Sequence, residues 1–133
     1  MTYALDTNTV IHLIKGTASV FTRYDENLLH GISFVIPPYV DFEICRGLLY
    51  ANAKAKERTY QSICKSCNIG EMSRDAWRCA ANLYSDLRHK GFTVSDADIL
   101  IAAFCLENGY ALVTNNIKDF ANIDGLMLID WLA

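Results

Sequence analysis

The chain has 133 residues, of which 52% are hydrophobic and 20% charged, and its formal net charge at pH 7 is −3. This length suits one domain, which we predict to span residues 1–133, and leaves no room for a second independent core. The apolar run at 99–106 is far shorter than the roughly 18 residues that a membrane span requires, so a membrane role is excluded. The start of the chain does not resemble a secretory signal, and we expect a cytoplasmic protein.

Short apolar runs bounded by turn residues predict the strands, which lie in chain order at 3–5, 34–36, near 69, at 111–113 and at 127–129. The segments between them predict helices: one capped by Thr7 or Asn8, then 18–29, 38–51, 54–67, 74–90, 96–107 and a short piece near 120. Continuously apolar strands that alternate with helices are typical of a parallel sheet covered on both faces. The predicted fold class is therefore α/β, a three-layer α/β/α sandwich with a short, mostly parallel central sheet.

Two helix details add expectations. The stretch from Ser95 to Asp98 matches a capping box, in which either Asp96 or Asp98 would serve as the cap and leave the other free. Gly47 stands inside a predicted helix, where glycine costs about 1 kcal/mol relative to alanine. We therefore expect another part of the chain to approach this glycine closely.

Acids and amides from four separate segments are predicted to meet at one edge of the sheet. The first follows strand one, the second lies in the first turns of the helix after strand two, the third begins the sixth helix, and two more follow strand four. The carboxyl ends of parallel strands open on a shared crevice, so these side chains should lie close together. They belong to Asp6, Glu43, Asp98, Asn116 and Asp119.

The chemistry of this set favours a hard metal ion. Carboxylates gathered at a water-poor edge raise one another's pKa unless a cation lies between them. Oxygen ligands suit Mg²⁺ or Mn²⁺, whereas zinc would need a His or Cys cluster that we do not find in the sequence. Such a metal activates water and neutralises a phosphate, so no protein nucleophile is needed. The pattern predicts a metal-dependent enzyme that acts on phosphodiesters.

Each acid also has an ordinary structural explanation. An acid near a helix start gains about 0.3–1 kcal/mol from the helix dipole, which accounts for Asp98 and also for Asp41, the competitor of Glu43. Glu43 falls at the edge of the apolar arc of its helix and would also suit a surface position. The functional interpretation therefore depends on the acids acting together.

Charge is distributed unevenly along the chain. Residues 46–90 contain nine basic and four acidic residues, net +5, and the rest contains three basic and eleven acidic ones, net −8. A basic segment beside an acidic site would guide a polyanion towards a bound cation, although solvated helix surfaces explain the same charges. The basic residues of this middle segment are Arg46, Lys54, Lys56, Arg58, Lys65, Arg74, Arg78, Arg88 and Lys90.

The chain resembles the PIN-domain ribonucleases, and within them the VapC-type toxins of toxin-antitoxin modules. Four ordered stretches carry the resemblance: YALDTNTVIHLIK at the start, EICRGL after strand two, SDADILIAAFCLENGYALVTNNIKDF near the end, and the closing LMLIDW. The resemblance implies that Asp6, Glu43 and Asp98 bind Mg²⁺ or Mn²⁺ and activate water. A fourth family position varies, and here Asn116 or Asp119 stands near it.

The resemblance also implies supporting residues and partners. Asn8, Thr114 and Asp96 are expected to orient ligands or metal-bound waters. Structured RNA is the implied substrate, with backbone contacts from Arg46 and the basic middle segment. A homodimer is implied, together with a cognate antitoxin that blocks the acidic crevice.

Two other functions stay open. A haloacid-dehalogenase-like phosphatase also begins with an acid after its first strand, but its pattern has a second Asp two residues later, where this chain has Asn8. A non-catalytic PIN-like domain would bind RNA or a partner without cutting. The presence of Asp6, Glu43 and Asp98 together favours the enzyme.

Overall fold

A computed structural model describes residues 1–132. Its strands are Thr2–Leu5 (β1), Ser33–Ile36 (β2), Asn68–Ile69 (β3), Ala111–Val113 (β4) and Leu128–Ile129 (β5). Its helices are Thr7–Lys15 (α1), Ala18–Leu29 (α2), Pro38–Tyr50 (α3), Lys54–Lys65 (α4), Arg74–His89 (α5), Asp96–Asn108 (α6) and Ile117–Phe120 (α7). The predicted elements are confirmed, with ends that shift by one or two residues. No helix in the described range 1–132 is long and apolar enough to cross a membrane.

The five strands form one sheet in the order β3-β2-β1-β4-β5, and every neighbouring pair is parallel. At the centre, Ala4 of β1 pairs with Val35 of β2 on one side and Leu112 of β4 on the other. The chain therefore moves outwards from β1 to β3 in one direction and from β4 to β5 in the other. Crossovers between parallel strands are almost always right-handed, so the two directions place helices on opposite faces. The predicted α/β/α class is confirmed, and the junction of β1 and β4 is the topological switch point of the sheet.

Helix α6 is apolar around its whole circumference because it lies inside the molecule. The successive residues Ala102, Ala103 and Phe104 point in directions about 100° apart, and each is at most 2% exposed. A helix with no polar face must be covered on all sides, and α5 packs along it. The N-terminal end of this buried helix is consequently a rigid support for Asp98.

Two predicted helix caps were wrong. Helix α1 is capped by Asp6, not by Thr7 or Asn8, because the Asp6 Oδ1 accepts a hydrogen bond from the Thr7 backbone N–H at 2.8 Å. Helix α6 is capped by Ser95, whose Oγ accepts from the Asp98 N–H at 3.2 Å, so neither Asp96 nor Asp98 is the cap. Both corrections move the cap one residue or more towards the N terminus, and Asp98 keeps its carboxylate free of the capping role.

The close approach expected at Gly47 is also wrong, since a Cβ built there meets nothing within 4 Å in the described structure. The tightly packed glycine is Gly70, whose N–H donates to the Ile36 carbonyl at 2.8 Å. A Cβ on Gly70 would overlap the ring of Phe104 and come within 2.6 Å of its Cε1. Phe104 is 2% exposed in the core, so its ring has little room to move.

We expect Gly70→Ala to destabilise the protein by about 1–3 kcal/mol, because the new methyl overpacks the core against Phe104. Gly47→Ala is the matched control and should stabilise by up to about 1 kcal/mol, since it adds alanine to an open position within α3. Urea unfolding at pH 7 measures both. Equal effects of the two substitutions would contradict the packing described around Gly70.

Candidate active site

Asp6 lies at the switch point and is held there by both neighbouring segments. Its backbone N–H donates to the Val113 carbonyl of β4 at 3.0 Å. Its Oδ1 accepts from the Thr7 N–H at 2.8 Å, and its Oδ2 accepts from the Thr114 hydroxyl at 2.6 Å. The orientation of the carboxylate is thus fixed at both oxygens by residues that follow β1 and β4.

Asp6 is 4% exposed, which is unusual for a carboxylate. Burial raises its pKa, and the charge of Asp119 raises it further. The hydrogen bonds from Thr114 and Thr7 act in the opposite direction, because they stabilise the ionised form. Ionisation of Asp6 therefore costs more free energy in the folded protein than in water, and its hydrogen bonds offset only part of that cost.

Glu43 faces the same edge from α3. Its Oε1 accepts from the Thr7 Oγ1 at 3.2 Å, so Thr7 contacts both Asp6 and Glu43. Its Oε2 lies 3.9 Å from the guanidinium of Arg46, which also stacks over the Phe42 ring at 5.0 Å. The Arg46 side chain is 56% exposed, so this pair contributes little to stability, and the arginine remains accessible to an anion.

Asp98 approaches from the first turn of α6. Burial raises its pKa, a hydrogen bond with Ser95 lowers it, and the charges of Asp6, Asp119 and Glu43 each raise it. The four carboxylates therefore lie close enough to interact electrostatically, although they come from α3, α6, α7 and the end of β1. A cation bound between them would relieve their mutual repulsion.

The donor set fits a hard divalent cation in its chemistry, but the site is not closed around one. In residues 1–132, no three or more His, Cys, Asp or Glu side chains lie close enough together to hold a metal ion in their present conformations. Only Asp6 is buried and fixed, whereas Glu43 and Asp98 are partly exposed and Asp119 is exposed. The three partly free carboxylates can rotate towards a cation without disturbing the core.

The remaining predicted residues have different surroundings. Thr114 is 1% exposed and, besides donating to Asp6, accepts from the Asn116 N–H at 3.0 Å. Asn116 caps α7 without a side-chain hydrogen bond. Asn8 is half-buried in α1, Asp96 is exposed on α6, and neither side chain bonds to the acids within the described chain. Their supporting roles stay predictions.

Thr7 is a site residue that the sequence reasoning missed, because it was considered only as a helix cap. Its position directly after Asp6 was the available signal. The basic residues of the middle segment are spread over α3, α4, α5 and the C-cap of α5. Of these residues, Lys56 lines a cleft with Thr7 and Glu43, and Arg46 contacts Glu43, whereas Lys90 pairs with Asp124 at 3.7 Å.

Two clefts flank the carboxylates. The apolar cleft, of about 290 Å³, lies on the Glu43 side and is lined by Thr7, Ile11, Ile14, Lys15, Glu43, Ile44, Gly47, Leu48 and Lys56. The polar cleft, of about 420 Å³, lies on the Asp98 side and is lined by Phe92, Thr93, Val94, Ser95, Asp98, Lys118, Asp119 and Asn122. An extended ligand at the carboxylates would therefore meet surfaces of different character on its two sides.

We expect Thr114→Val to destabilise the metal-free protein by about 1.5–3 kcal/mol, because a buried carboxylate loses its hydroxyl donor and the Asn116 N–H loses its acceptor. Thr9→Val is the matched control. Thr9 is also buried, but its hydroxyl donates to the neutral Val113 carbonyl at 3.0 Å, so its loss should cost only about 0.5–1.5 kcal/mol. Urea unfolding at pH 7 compares them, and a smaller loss for Thr114→Val would contradict the role given to its hydroxyl.

Comparison with known proteins gives a consistent result. A family model for the PIN domain matches residues 3–126. Ribonuclease VapC2 of Rickettsia felis is 29% identical over 132 residues, which cover 98% of both chains. Ribonuclease VapC1 of Haemophilus influenzae is 24% identical over the same length, also with 98% coverage of each chain.

Solved structures agree in fold along the whole chain. The VapBC2 structure from Rickettsia felis, bound to a DNA fragment from its promoter, matches with a TM-score of 0.90 at 26% identity, covering 98% of this chain and 99% of the other. DNA-bound VapBC from Salmonella typhimurium matches with a TM-score of 0.81 at 26% identity and 98% coverage of both. The similarity therefore includes the strands and helices that carry the acids.

Proposed function

The chain belongs to the PIN-domain family, and from this membership we propose that it is a metal-dependent endoribonuclease, the toxin of a type II toxin-antitoxin module. Its similarity to proteins named Ribonuclease VapC supports the ribonuclease activity. The observation that carries the proposal is the buried Asp6 carboxylate at the switch point of the sheet, which Thr7 joins to Glu43, with Asp98 and Asp119 lining one cleft near enough for charge interactions with Asp6.

Asp6, Glu43 and Asp98 are the residues we assign to holding Mg²⁺ or Mn²⁺. We add Asp119 in preference to Asn116, because the charge of Asp119 acts on both Asp6 and Asp98. When bound, the metal would activate water for attack on the phosphodiester and neutralise charge on the phosphate.

The surrounding residues prepare the site for that chemistry. Thr114 and Thr7 hold the Asp6 carboxylate in one orientation and favour its ionised form. Thr7 also ties Glu43 to the same turn. Arg46 and Lys118 border the carboxylates from opposite sides and would contact phosphates of the RNA backbone, in an interaction that weakens with salt.

We also propose partners for the chain. Several of the solved neighbours are VapBC complexes, so a cognate antitoxin is expected to bind this protein and block the acidic edge. A homodimer is proposed on the same family basis. We propose that the protein acts in the cytoplasm, because RNA and an antitoxin are its proposed partners.

RNA cleavage with controlled metal tests the proposal. We expect the protein to cut RNA internally with Mg²⁺ or Mn²⁺, to stop when EDTA removes the metal, and to recover when the metal is returned. A phosphomonoester assayed alongside separates this activity from that of a phosphatase, which would release phosphate from the monoester and leave RNA intact. RNA that is bound but never cut with metal present would instead support the non-catalytic alternative, and EDTA-resistant cleavage would contradict the proposed mechanism.

A further inference from the structure

The polar cleft has features that metal binding alone does not explain. Besides Asp98 and Asp119, its lining includes an aromatic ring, an ammonium group, an amide and a hydroxyl, contributed by Phe92, Lys118, Asn122 and Thr93. We infer that this cleft binds a single-stranded nucleotide of the RNA substrate next to the cleaved phosphate, with Phe92 stacking on its base. This inference rests on the proposed ribonuclease function and assigns the residues that capture the substrate.

Phe92 is presented to the cleft by a loop that is anchored on both sides. Gly91 takes a positive φ of 86°, and the Phe92 N–H then donates to the Leu87 carbonyl at the end of α5 at 2.9 Å. Two residues later, Val94 packs against the core, whereas the Phe92 ring stays 38% exposed and outside the core cluster. The loop is thus fixed while its largest apolar side chain faces the cleft, which suits an aromatic stacking platform.

Lys118 supplies a cation at the same place. It is exposed at the start of α7 and forms no ion pair with another residue of the described chain, even though it is next to Asp119. An unpaired ammonium beside a carboxylate site is available to a phosphate group of a bound strand. The metal-ligand role of the acids and the phosphate contact of Lys118 are therefore compatible.

Asn122 and Thr93 add groups that can read a base. Both are exposed, and neither side chain hydrogen-bonds to another residue in the part of the chain that the structure describes. An amide and a hydroxyl offer donors and acceptors to a base edge or to a ribose 2′-hydroxyl. The cleft volume of about 420 Å³ lies in the range of sites for small ligands, which leaves space for one nucleotide.

The lining of the other cleft suits a base less well. The apolar cleft offers phosphate contacts through Lys15 and Lys56, but no aromatic ring lines it, so it has no stacking platform for a base. A protein segment in the polar cleft would be the competing occupant, and a basic side chain could pair with its acids. Such a segment would use the acids alone, whereas a nucleotide also uses the exposed Phe92 ring and the Lys118 ammonium.

Binding of a labelled single-stranded RNA oligonucleotide with Mg²⁺ present tests the inference. The affinity is measured by fluorescence anisotropy with protein that carries Glu43→Gln. This substitution is expected to prevent cleavage, and Glu43 lines the apolar cleft and not the polar one. Adding Phe92→Ala should weaken binding about 5- to 150-fold, the usual loss for one stacked base. Phe21→Ala is the matched control, because Phe21 is 48% exposed on α2 outside the cleft, and its loss should leave the affinity unchanged.

Two more variants separate the contributions. Asn122→Ala should weaken binding and flatten any preference among A, C, G and U oligonucleotides, while Lys118→Gln should weaken all of them equally and reduce the salt dependence. If Phe92→Ala leaves the affinity unchanged, the inference is wrong. It is also wrong if the wild-type protein cuts RNA with metal present but does not bind the single-stranded oligonucleotide. Wild-type protein that neither cuts nor binds RNA overturns the ribonuclease proposal, and this inference with it.

Discussion

Replacing Asp98 by asparagine should reduce metal-dependent RNA cleavage by at least about 100-fold, since even residues that only support metal ligands cost 10- to 100-fold when they are lost. The substitution removes the negative charge and keeps the size of the side chain. The cap of α6 should persist, because the Ser95 hydroxyl oxygen accepts from the backbone N–H of residue 98, which asparagine also provides. Loss of activity would then report on the site and not on the fold.

Asp75→Asn is the matched control for this variant. Asp75 also lies in the first turn of a helix that is capped by a serine, Ser73, but on α5 and away from the carboxylates. Its replacement should leave cleavage at the wild-type rate. The comparison uses initial rates of cleavage of one RNA at saturating Mg²⁺. Thermal unfolding of each variant checks that it is folded. Equal activity of the Asp98→Asn and Asp75→Asn proteins would show that Asp98 has no part in the mechanism.

The second large effect is expected from Asp6→Asn, which should be neutral or stabilising without metal and should abolish the stabilisation by Mg²⁺. The folded protein raises the pKa of Asp6, mainly through burial, so the folded state binds this proton more tightly than the unfolded state. Stability therefore falls as pH rises from the unfolded value near 3.8 through the raised pKa, and the full penalty is present at neutral pH. Asparagine removes that penalty and can still accept from the Thr7 N–H.

Thermal unfolding measures both parts of this prediction. In the wild-type protein, Mg²⁺ at 100 times its Kd should stabilise the folded state by about 2.7 kcal/mol, which for a chain of this size raises the Tm by on the order of 10 °C. Asp6→Asn should lose that rise, while Asp25→Asn, an exposed substitution on α2, should retain it. In EDTA, the stability gap between wild type and Asp6→Asn should narrow as the pH is lowered. A full Mg²⁺ shift in the Asp6→Asn protein would exclude Asp6 as a ligand.

The architecture could be predicted because its signals are local. Runs such as 34–36 and 111–113 are apolar throughout, and the sixth helix is apolar without interruption over residues 99–106, so burial on both sides of a parallel sheet follows from composition alone. The order of the strands is not local in this sense. That β1 and β4 are neighbours, which brings Thr114 to Asp6, depends on the packing of the whole chain.

The site could be predicted only as a set of segments. Asp6, Glu43 and Asp98 were identified from their places after strands or at helix starts, and the fold brings their charges into range of one another. The link from Thr7 to Glu43 depends on a 3.2 Å contact between residues 36 apart in the chain, and the caps at Asp6 and Ser95 depend on local backbone geometry that residue types alone do not fix. Sequence patterns carry no information at that scale, which is also why they do not distinguish the open Gly47 from the crowded Gly70.

A crystal structure of the protein with Mn²⁺, located by its anomalous scattering, tests the central claim most directly. The account predicts a Mn²⁺ ion with carboxylate oxygens of Asp6, Glu43 and Asp98 about 2.0–2.2 Å away, reached by rotation of the Glu43 and Asp98 side chains while Thr114 keeps its contact with Asp6. Mn²⁺ bound elsewhere, or no ion within reach of these three residues at millimolar concentration, would contradict it.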